Sequence, residues 1–388
     1  MSPLHVCIVG LKCYDHIAAK PVPRYLGGIE TQLTILAKGL VAQGCRVSLI
    51  TYDHGQPDAE IFDGVTVFKS YHRDAGVRII RLLYPRSIKL WKAMRRADAD
   101  VYLQMGAGAE TGLVALGCKL GVPRKRFVFC VASNANFGAH LRAGMFGWEG
   151  KLYQFGLRRA DLVISQTNDQ RDGLRRAVGL ESRVVPMAVR QPKASEAVAQ
   201  RPEENRILWI GRITRDKRLE WLLDAADKCP ELCFDVVGAP NTASDYAERI
   251  LQASTRHKNV TIHGRLSTAE LEQIYENTRL LCCTSQVEGF PTSFLEAWSR
   301  GIPLVTTFDP DGIVARHRLG AIAKNPAELA GQLRNIIEDK TKYAALSQAA
   351  KRYYLDNHTV EEVSRQFRNE FENLQALSSG VIAVPSLT

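Results

Sequence analysis

The sequence predicts an α/β protein with two Rossmann-like domains, each a doubly wound parallel sheet. Three observations support this fold class. The 388 residues exceed what one hydrophobic core normally serves, strand and helix patterns alternate in both halves, and a polar stretch at 191–204 lacks periodicity. We therefore predict an N-terminal domain over 1–190, a second domain over 191–359 and a flexible tail over 378–388.

The first domain opens with an apolar strand pattern at Leu4–Gly10, a polar loop and a helix that begins after Gly27 and Gly28. Apolar residues in that helix recur at the spacing of one helical face. Later strand patterns alternate with helical ones, which predicts a parallel sheet covered on both faces. They lie at Val47–Thr51, Val65–Lys69, Val101–Leu103, Phe127–Val131 and Leu162–Ser165.

The second domain repeats this alternation. From Pro326 the sequence is helical to about Ala376. The strand patterns lie at Arg206–Gly211, Phe234–Gly238, Val260–His263, Leu280–Cys283 and Pro303–Thr306.

Composition indicates a globular protein, since 45% of residues are hydrophobic and 24% are charged. No apolar run approaches the roughly 18 residues that span a bilayer, and the N-terminus lacks a signal-peptide pattern. We expect a cytoplasmic protein. The nine cysteines contain no Cys-x-x-Cys pair, so we expect reduced core residues without a disulfide partner.

Ligands of open α/β sheets bind beyond the carboxyl ends of the strands, and three clusters follow predicted strands there. The first is Gly27-Gly28 before the first helix, a pattern that is more often a tight turn than a phosphate site. The second contains Gly211, Arg212 and Lys217, whose cations suit two neighbouring phosphates. A solvated basic loop is the alternative.

The third cluster is the most specific. Glu288 follows the strand Leu280–Cys283, and Glu296 lies on a predicted helix with seven residues between the two carboxylates. One carboxylate at this edge can accept hydrogen bonds from sugar hydroxyls and the other from a ribose diol. A solvent-facing Glu296 is the alternative, but its apolar neighbours Leu295, Ala297 and Trp298 disfavour it.

The order Gly-Gly-Ile-Glu, Gly-Arg-x-x-x-x-Lys and Glu-x7-Glu, followed by Ala-Trp-Ser-Arg-Gly-Ile-Pro, resembles the family 4 retaining glycosyltransferases of the GT-B fold. The resemblance implies two facing domains and a C-terminal helix, about 360–377, that crosses back onto the first domain. It also implies transfer of a hexose-type sugar from a UDP- or GDP-sugar with retention, without a metal or cofactor, in bacterial surface-polysaccharide assembly.

Carried over by residue, the resemblance implies that Arg212 and Lys217 bind the donor diphosphate and offset charge on the leaving nucleotide. Glu288 would contact the transferred sugar, and Glu296 the ribose. The Gly27-Gly28 loop would close over the diphosphate. The remaining implied donor-binding residues follow the strand ends: Gly211, Gly289, Phe290, Pro291 and Thr292.

Two features depart from the family pattern. Arg218 stands where the family usually has glycine after the lysine. Many members also carry a histidine after the fifth strand of the first domain, where this chain has Ser133, Asn134 and Asn136. We take these three as the candidate acceptor-side residues.

Charge is uneven along the chain. Residues 1–190 hold 27 Lys and Arg against 15 Asp and Glu, which leaves 24 against 26 for the remainder. A helix after Pro85 is predicted to gather Ile88, Leu90, Trp91 and Met94 on one side and to place Lys89, Lys92 and Arg96 on another. That pattern fits ordinary packing on the sheet or an anionic membrane surface. Further basic residues of the domain include Lys119, Arg124, Lys125, Arg126, Arg142, Arg158 and Arg159.

The excess of positive charge favours peripheral contact with the inner face of the cytoplasmic membrane and a lipid-linked sugar as acceptor. Nucleic acid is disfavoured because no binding module is present. Two other functions stay open: a non-catalytic scaffold subunit with this fold, and a nucleotide-sugar epimerase. A phosphorylase would need a Schiff-base lysine, for which the sequence has no local pattern.

Overall fold

The computed structural model describes residues 3–20, 24–25, 27–77, 82–121, 125–137, 147–192, 205–240, 244–286 and 288–376. The chain forms two compact units: residues through Ala188 together with the residues from Val360 onward, and Val189–Thr359. The predicted tail 378–388 and residues 193–204 of the predicted linker lie outside the described residues, as do Arg124 and Arg142.

The boundary between the two units falls after Ala188, two residues before the predicted end of the first domain at residue 190. Hydrogen bonds at this boundary explain the difference. The Ala188 carbonyl accepts a hydrogen bond from Gln32 Nε2 at 2.9 Å, within the first unit. Val189 instead pairs with the second unit, because its N–H donates to His358 O at 3.3 Å and its carbonyl accepts from the Tyr354 hydroxyl at 3.0 Å. The change of unit therefore occurs within one peptide.

Within the described residues, the first unit has a sheet of eight strands. They are β1 His5–Val9, β2 Arg46–Thr51, β3 Ala59–Phe62, β4 Val65–Lys69, β5 Val101–Met105, β6 Arg126–Cys130, β7 Leu162–Ser165 and β8 Arg183–Val184. Their order is β3-β4-β2-β1-β5-β6-β7-β8, in which only β3 is antiparallel to its neighbour. Alternate residues of β1 enter different cores: Cys7 and Val9 one, Val6 and Ile8 the other. Helices therefore cover both faces.

The C-terminal helix, Val360–Ala376, shares a buried cluster with the helix Gly28–Ala42 of the same unit. Phe367 and Phe371 supply its buried rings. The remaining α-helices in the described part of this unit are Tyr14–Ile17, Ile88–Ala97, Ala109–Leu116, Trp148–Arg159 and Asn168–Val178.

The second unit has a parallel six-stranded sheet in its described part. Its strands are β9 Arg206–Ile210, β10 Cys233–Val237, β11 Val260–Gly264, β12 Leu280–Cys283, β13 Leu304–Thr306 and β14 Gly320–Ile322. Their order in the sheet is β11-β10-β9-β12-β13-β14. Its helices are Leu219–Lys228, Asp245–Ser254, Thr268–Asn277, Thr292–Ser299, Ile313–Arg316, Pro326–Glu338 and Lys340–Asn357. No described helix is long and apolar enough to cross a bilayer.

Three short strands, β3, β8 and β14, were not predicted. Each carries a weak pattern of its own, and each gains its hydrogen bonds from a neighbour already in the sheet. The predicted helical tract after Pro326 is interrupted near Asp339, whose carboxylate accepts from Lys342 N at 2.9 Å and so caps the next helix.

The predicted grouping on the helix Ile88–Ala97 was wrong in one respect. Leu90 and Met94 are buried on the sheet and Trp91 is half-buried, but Ile88 is 42% exposed. Ile88 lies two residues from Leu90, about 200° around the helix, so it cannot share that face. Lys89, Lys92 and Arg96 are exposed as predicted.

Candidate active site

The second unit has a topological switch point between β9 and β12. The chain proceeds from β9 to β10 and β11 on one side of the sheet, and then from β12 to β13 and β14 on the other. Ligands of open α/β sheets bind at such a point, beyond the carboxyl ends of the strands. The loop that follows β9 carries Lys217, and the loop that follows β12 carries Glu288.

Lys217 and Glu288 form an ion pair, although 71 residues separate them. The Lys217 side chain is 11% exposed and that of Glu288 is 20% exposed. Glu288 Oε1 also accepts a 2.7 Å hydrogen bond from Ser285 Oγ. The pair therefore holds a shielded ammonium group at the switch point, with its position fixed by the opposite carboxylate.

The loop between β9 and Lys217 is placed by backbone packing. Gly211 N donates to Val237 O at 3.1 Å. Gly238, which follows β10, has φ +140°, and a Cβ there would lie 1.8 Å from the Gly211 carbonyl oxygen. Only glycine fits that approach. Arg212 follows and is exposed, so its guanidinium is accessible to an anion in solution.

Arg218, on the loop after β9, is hydrogen-bonded to the residues that follow β12 and β13. Its Nε donates to Thr284 O at 2.8 Å, and its Nη2 donates to Ser285 O at 3.1 Å and to Thr307 Oγ1 at 2.9 Å. The guanidinium carbon also lies 4.0 Å from the centroid of the Trp221 ring. Arg218 has φ +47°, a conformation that favours glycine. Its side chain thus points into the protein and supports the loop that carries Glu288.

We expect Arg218→Ala to be destabilising by about 2 kcal/mol, because it removes three hydrogen bonds from a charged donor and keeps the positive φ. Arg218→Gly removes the same bonds but relieves about 1 kcal/mol of backbone strain. The glycine variant should therefore melt about 2–4 °C above the alanine variant. Calorimetry of both variants checks this, and equal melting temperatures would contradict the assigned strain.

Glu296 lies on the helix Thr292–Ser299 and does not face open solvent. The Tyr275 hydroxyl donates to Glu296 Oε2 at 2.9 Å, and the side chain is half-buried. Burial raises the pKa of the Glu296 carboxyl above its ordinary value, while the Tyr275 hydrogen bond and the charge of Arg300 oppose that shift. In the described part of the chain, the other carboxylate oxygen of Glu296 accepts no hydrogen bond and remains able to accept one.

We expect the stability of the Glu296→Gln variant relative to wild type to increase as pH rises. The pKa of Glu296 is higher in the folded state than its ordinary value of 4.5. As pH rises above 4.5, the unfolded state therefore loses this proton before the folded state does, and the free energy of unfolding falls. Glutamine does not titrate. Melting temperatures between pH 4.5 and 8 should show the variant gaining on wild type, whereas a pH-independent difference would exclude the effect. Glu276→Gln, at an exposed position, is the control.

The segment between the two carboxylates turns into a helix. Pro291 is the N-cap residue and Thr292 the first helical residue. The Phe290 ring is buried and lies edge-on to Trp298, with centroids 6.1 Å apart. Gly289 is half-buried ahead of it. This packing fixes the N-terminus of the helix, where free N–H groups attract anions.

The acceptor-side candidates lie in the first unit, on a helical turn at Asn134–Asn136 after β6. Asn136 Oδ1 accepts from Ala132 N at 2.8 Å and Ser133 N at 3.2 Å, so it shapes the turn. The Asn134 Oδ1 atom is buried without a hydrogen-bond partner in the described part of the chain. The role of these three residues toward an acceptor stays a prediction.

The other candidates in the first unit, Gly27 and Gly28, lie at the start of the helix Gly28–Ala42, with Gly27 as its extended N-cap. A Cβ on Gly27 would lie 2.2 Å from Glu30 Oε2. The Glu30 carboxylate therefore lies against Gly27. That the Gly27-Gly28 loop closes over a diphosphate stays a prediction.

Sequence reasoning missed several supporting residues. Thr284 Oγ1 accepts from Trp209 Nε1 at 2.9 Å and donates to Lys217 O at 2.6 Å, which links β9, β12 and the lysine loop. Thr284 and Ser285 directly follow β12, so the strand-end rule could have identified them. Tyr275 had no such signal, because it reaches Glu296 from a separate helix.

Two family models match the chain. Residues 26–190 match the family described as Glycosyltransferase Family 4, and residues 190–353 match the family described as Glycosyl transferases group 1. One relative is the GtfA subunit of UDP-N-acetylglucosamine–peptide N-acetylglucosaminyltransferase from Streptococcus pneumoniae. It is 26% identical over 39% of this chain, and the match spans 31% of that relative's length.

Two solved structures share the fold. Sucrose-phosphate synthase from Thermosynechococcus elongatus superposes with a TM-score of 0.75 at 18% identity, over 96% of this chain and 100% of that one. HepE from Anabaena, solved with UDP and glucose, gives 0.71 at 18% identity, over 95% and 99%. The fold is thus GT-B. Since the two family matches adjoin at residue 190 and together extend over 26–353, the chain belongs to the family 4 glycosyltransferases.

Proposed function

We propose that this enzyme is a retaining hexosyltransferase that uses a nucleoside-diphosphate sugar, with UDP favoured over GDP. The Lys217–Glu288 pair at the β9/β12 switch point carries this proposal. UDP is favoured because the similar GtfA subunit is named for UDP-N-acetylglucosamine and the similar HepE was solved with UDP and glucose. The acceptor is a glycan or lipid-linked glycan of a cell-surface polysaccharide.

The proposed reaction uses the charges that the structure positions. Lys217 and Arg212 bind the diphosphate and stabilise the negative charge that develops on the leaving nucleotide. Glu288 accepts a hydrogen bond from the transferred sugar while keeping Lys217 oriented, and Glu296 accepts one from the ribose. The acceptor oxygen then attacks the anomeric carbon from the face that the nucleotide leaves, which retains the configuration. This scheme needs no metal or cofactor, and that independence stays a prediction.

The test is a panel of UDP-, GDP- and ADP-sugars with the full-length protein, in which nucleotide release and the anomeric configuration of the product are followed by NMR. We expect one base to be preferred and the α-linkage of the donor to be kept. An inverted product would overturn the mechanism. Conversion of the donor without an acceptor into another sugar would favour the epimerase, and no binding of any donor would favour a scaffold.

The membrane contact is a separate proposal. On the helix Ile88–Ala97, Ile88 is exposed between basic side chains, and the turn Gly117–Gly121 packs on that helix through Trp91 and Met94. Leu120 on this turn is 74% exposed beside the exposed Lys119. Apolar side chains among lysines fit the interface of an anionic bilayer. We propose that this surface places the enzyme on the cytoplasmic leaflet.

Flotation with vesicles tests the contact. The protein should bind phosphatidylglycerol vesicles at low salt and dissociate from them at high salt. It should not bind phosphatidylcholine vesicles. Lys89→Glu with Lys92→Glu should abolish binding while leaving donor hydrolysis intact. Charge reversal at exposed Arg175 and Arg176, on the helix Asn168–Val178, serves as the matched control. Equal binding by both double variants would overturn this surface.

A further inference from the structure

A second switch point lies in the first unit, between β1 and β5. The strand order places β2 and β4 on one side of β1 and β5 to β8 on the other. Polar and aromatic residues follow these strands at their carboxyl ends, in the position where such sheets bind ligands. The family motifs do not include them. They are Lys12 after β1, Tyr52 and His54 after β2, Tyr71 and Arg73 after β4, and Tyr25 on the loop after β1.

The aromatic rings of this group form a contiguous cluster that runs from the core to the surface. Tyr71 is fully buried, and its ring lies 5.4 Å from that of Tyr52, edge to face. Tyr52 lies 6.5 Å from Tyr25, which is half-buried and reaches solvent. His54 lies 6.3 Å from both. The outermost ring, Tyr25, therefore has a fixed position supported from below.

Two cations share the Tyr25 ring. Lys12 Nζ lies 5.7 Å and the Arg73 guanidinium carbon 5.9 Å from its centroid. Both side chains belong to exposed residues. The loop of Arg73 is held in place because Arg86 donates to Ala75 O at 3.3 Å and to the Arg73 carbonyl. The ring and the loop together keep the two positive charges within about 12 Å of each other.

These two cations differ from the other basic residues nearby. Lys20 and Arg24 are balanced by the buried carboxylate of Asp15, at 2.9 and 3.7 Å. In the described part of the chain, no carboxylate forms an ion pair with Lys12 or Arg73. In this part of the chain the two side chains leave positive charge without an ion-pair partner beside the Tyr25 ring, and a bound anion can neutralise it.

We propose that Lys12 and Arg73 bind a phosphate or diphosphate group of the acceptor, a glycosyl phosphate, beside the Tyr25 ring. The inference rests on the proposed function and narrows its acceptor to a phosphorylated one. Arg73 offers a planar pair of donors to the phosphate oxygens, and Lys12 adds a compact charge. The group comes either from a lipid diphosphate sugar or from a soluble sugar phosphate, which share this chemistry.

Calorimetric titration of the full-length protein, saturated with UDP to fill the donor site, tests the assignment. Glucose 1-phosphate and geranyl diphosphate are the anionic probes, and glucose is the neutral probe. We expect the anionic probes to bind and Arg73→Gln or Lys12→Gln each to weaken that binding about tenfold, the scale of one charge-assisted contact. Arg176→Gln should bind as wild type. Tighter binding of geranyl diphosphate assigns the lipid source, and tighter binding of glucose 1-phosphate the soluble one.

Three results would overturn the site: unchanged affinity in both glutamine variants, glucose binding as tightly as glucose 1-phosphate, or loss of phosphate binding whenever UDP is present. The last result would make Lys12 and Arg73 part of the donor site. Hydrolysis of the donor by wild type and by Arg73→Gln is measured alongside. If neither consumes any donor, the proposed function fails, whatever the titrations show.

Discussion

Lys217→Ala should lower the transfer rate by about 10²–10³-fold, the usual cost of removing one preorganised charge that stabilises a leaving group. Two effects combine. The variant removes the shielded ammonium at the β9/β12 switch point, and it leaves the Glu288 carboxylate, 20% exposed, without its ion-pair partner. Initial rates at saturating donor measure the first effect, and titration with UDP measures the loss of diphosphate affinity.

The control for this variant is Lys228→Ala, at an exposed position of the same unit, which should transfer as wild type. Lys217→Arg keeps the charge but not the compact geometry, so we expect partial activity. Transfer by Lys217→Ala within threefold of wild type would show that the diphosphate is neutralised elsewhere, with Arg212 as the first candidate.

Glu288→Gln should reduce kcat/KM for transfer by about 100-fold, the usual scale for losing one preorganised electrostatic contact. The amide keeps the size of the side chain and can still accept from Ser285 Oγ, but it carries no charge to orient Lys217. If Glu288 also meets the sugar, the KM for the UDP-sugar should rise while inhibition by UDP alone changes little. Glu276→Gln, an exposed carboxylate on the helix Thr268–Asn277, should be neutral.

The double variant Lys217→Ala with Glu288→Gln distinguishes a joint role from two separate ones. Because the two side chains form one ion pair, we expect the loss in the double variant to be smaller than the product of the two single losses. A double variant whose loss equals the product of the two single losses would show that the residues act independently, and the ion pair would then have no part in catalysis.

The strand patterns were sufficient to predict the α/β class and the longer strands of both sheets. Parallel strands buried on both faces need continuous apolar runs, such as Val6–Val9, and those are visible without tertiary information. The edge strand β3 was missed because half of its residues are exposed and its hydrogen bonds depend on β4. The face of Ile88 was mispredicted because four apolar residues were grouped without respect to their helical angles.

Local spacing was sufficient to predict that Arg212, Lys217, Glu288 and Glu296 follow strand ends, because they lie within two short motifs whose spacing survives folding. Which of these residues meet depends on how distant segments pack. Lys217 reaches Glu288 because the sheet places β12 next to β9, and Glu296 meets Tyr275 because two helices pack together. Arg218 gained its role in the same way. Contacts between distant segments depend on strand order and helix packing, which a linear pattern does not encode.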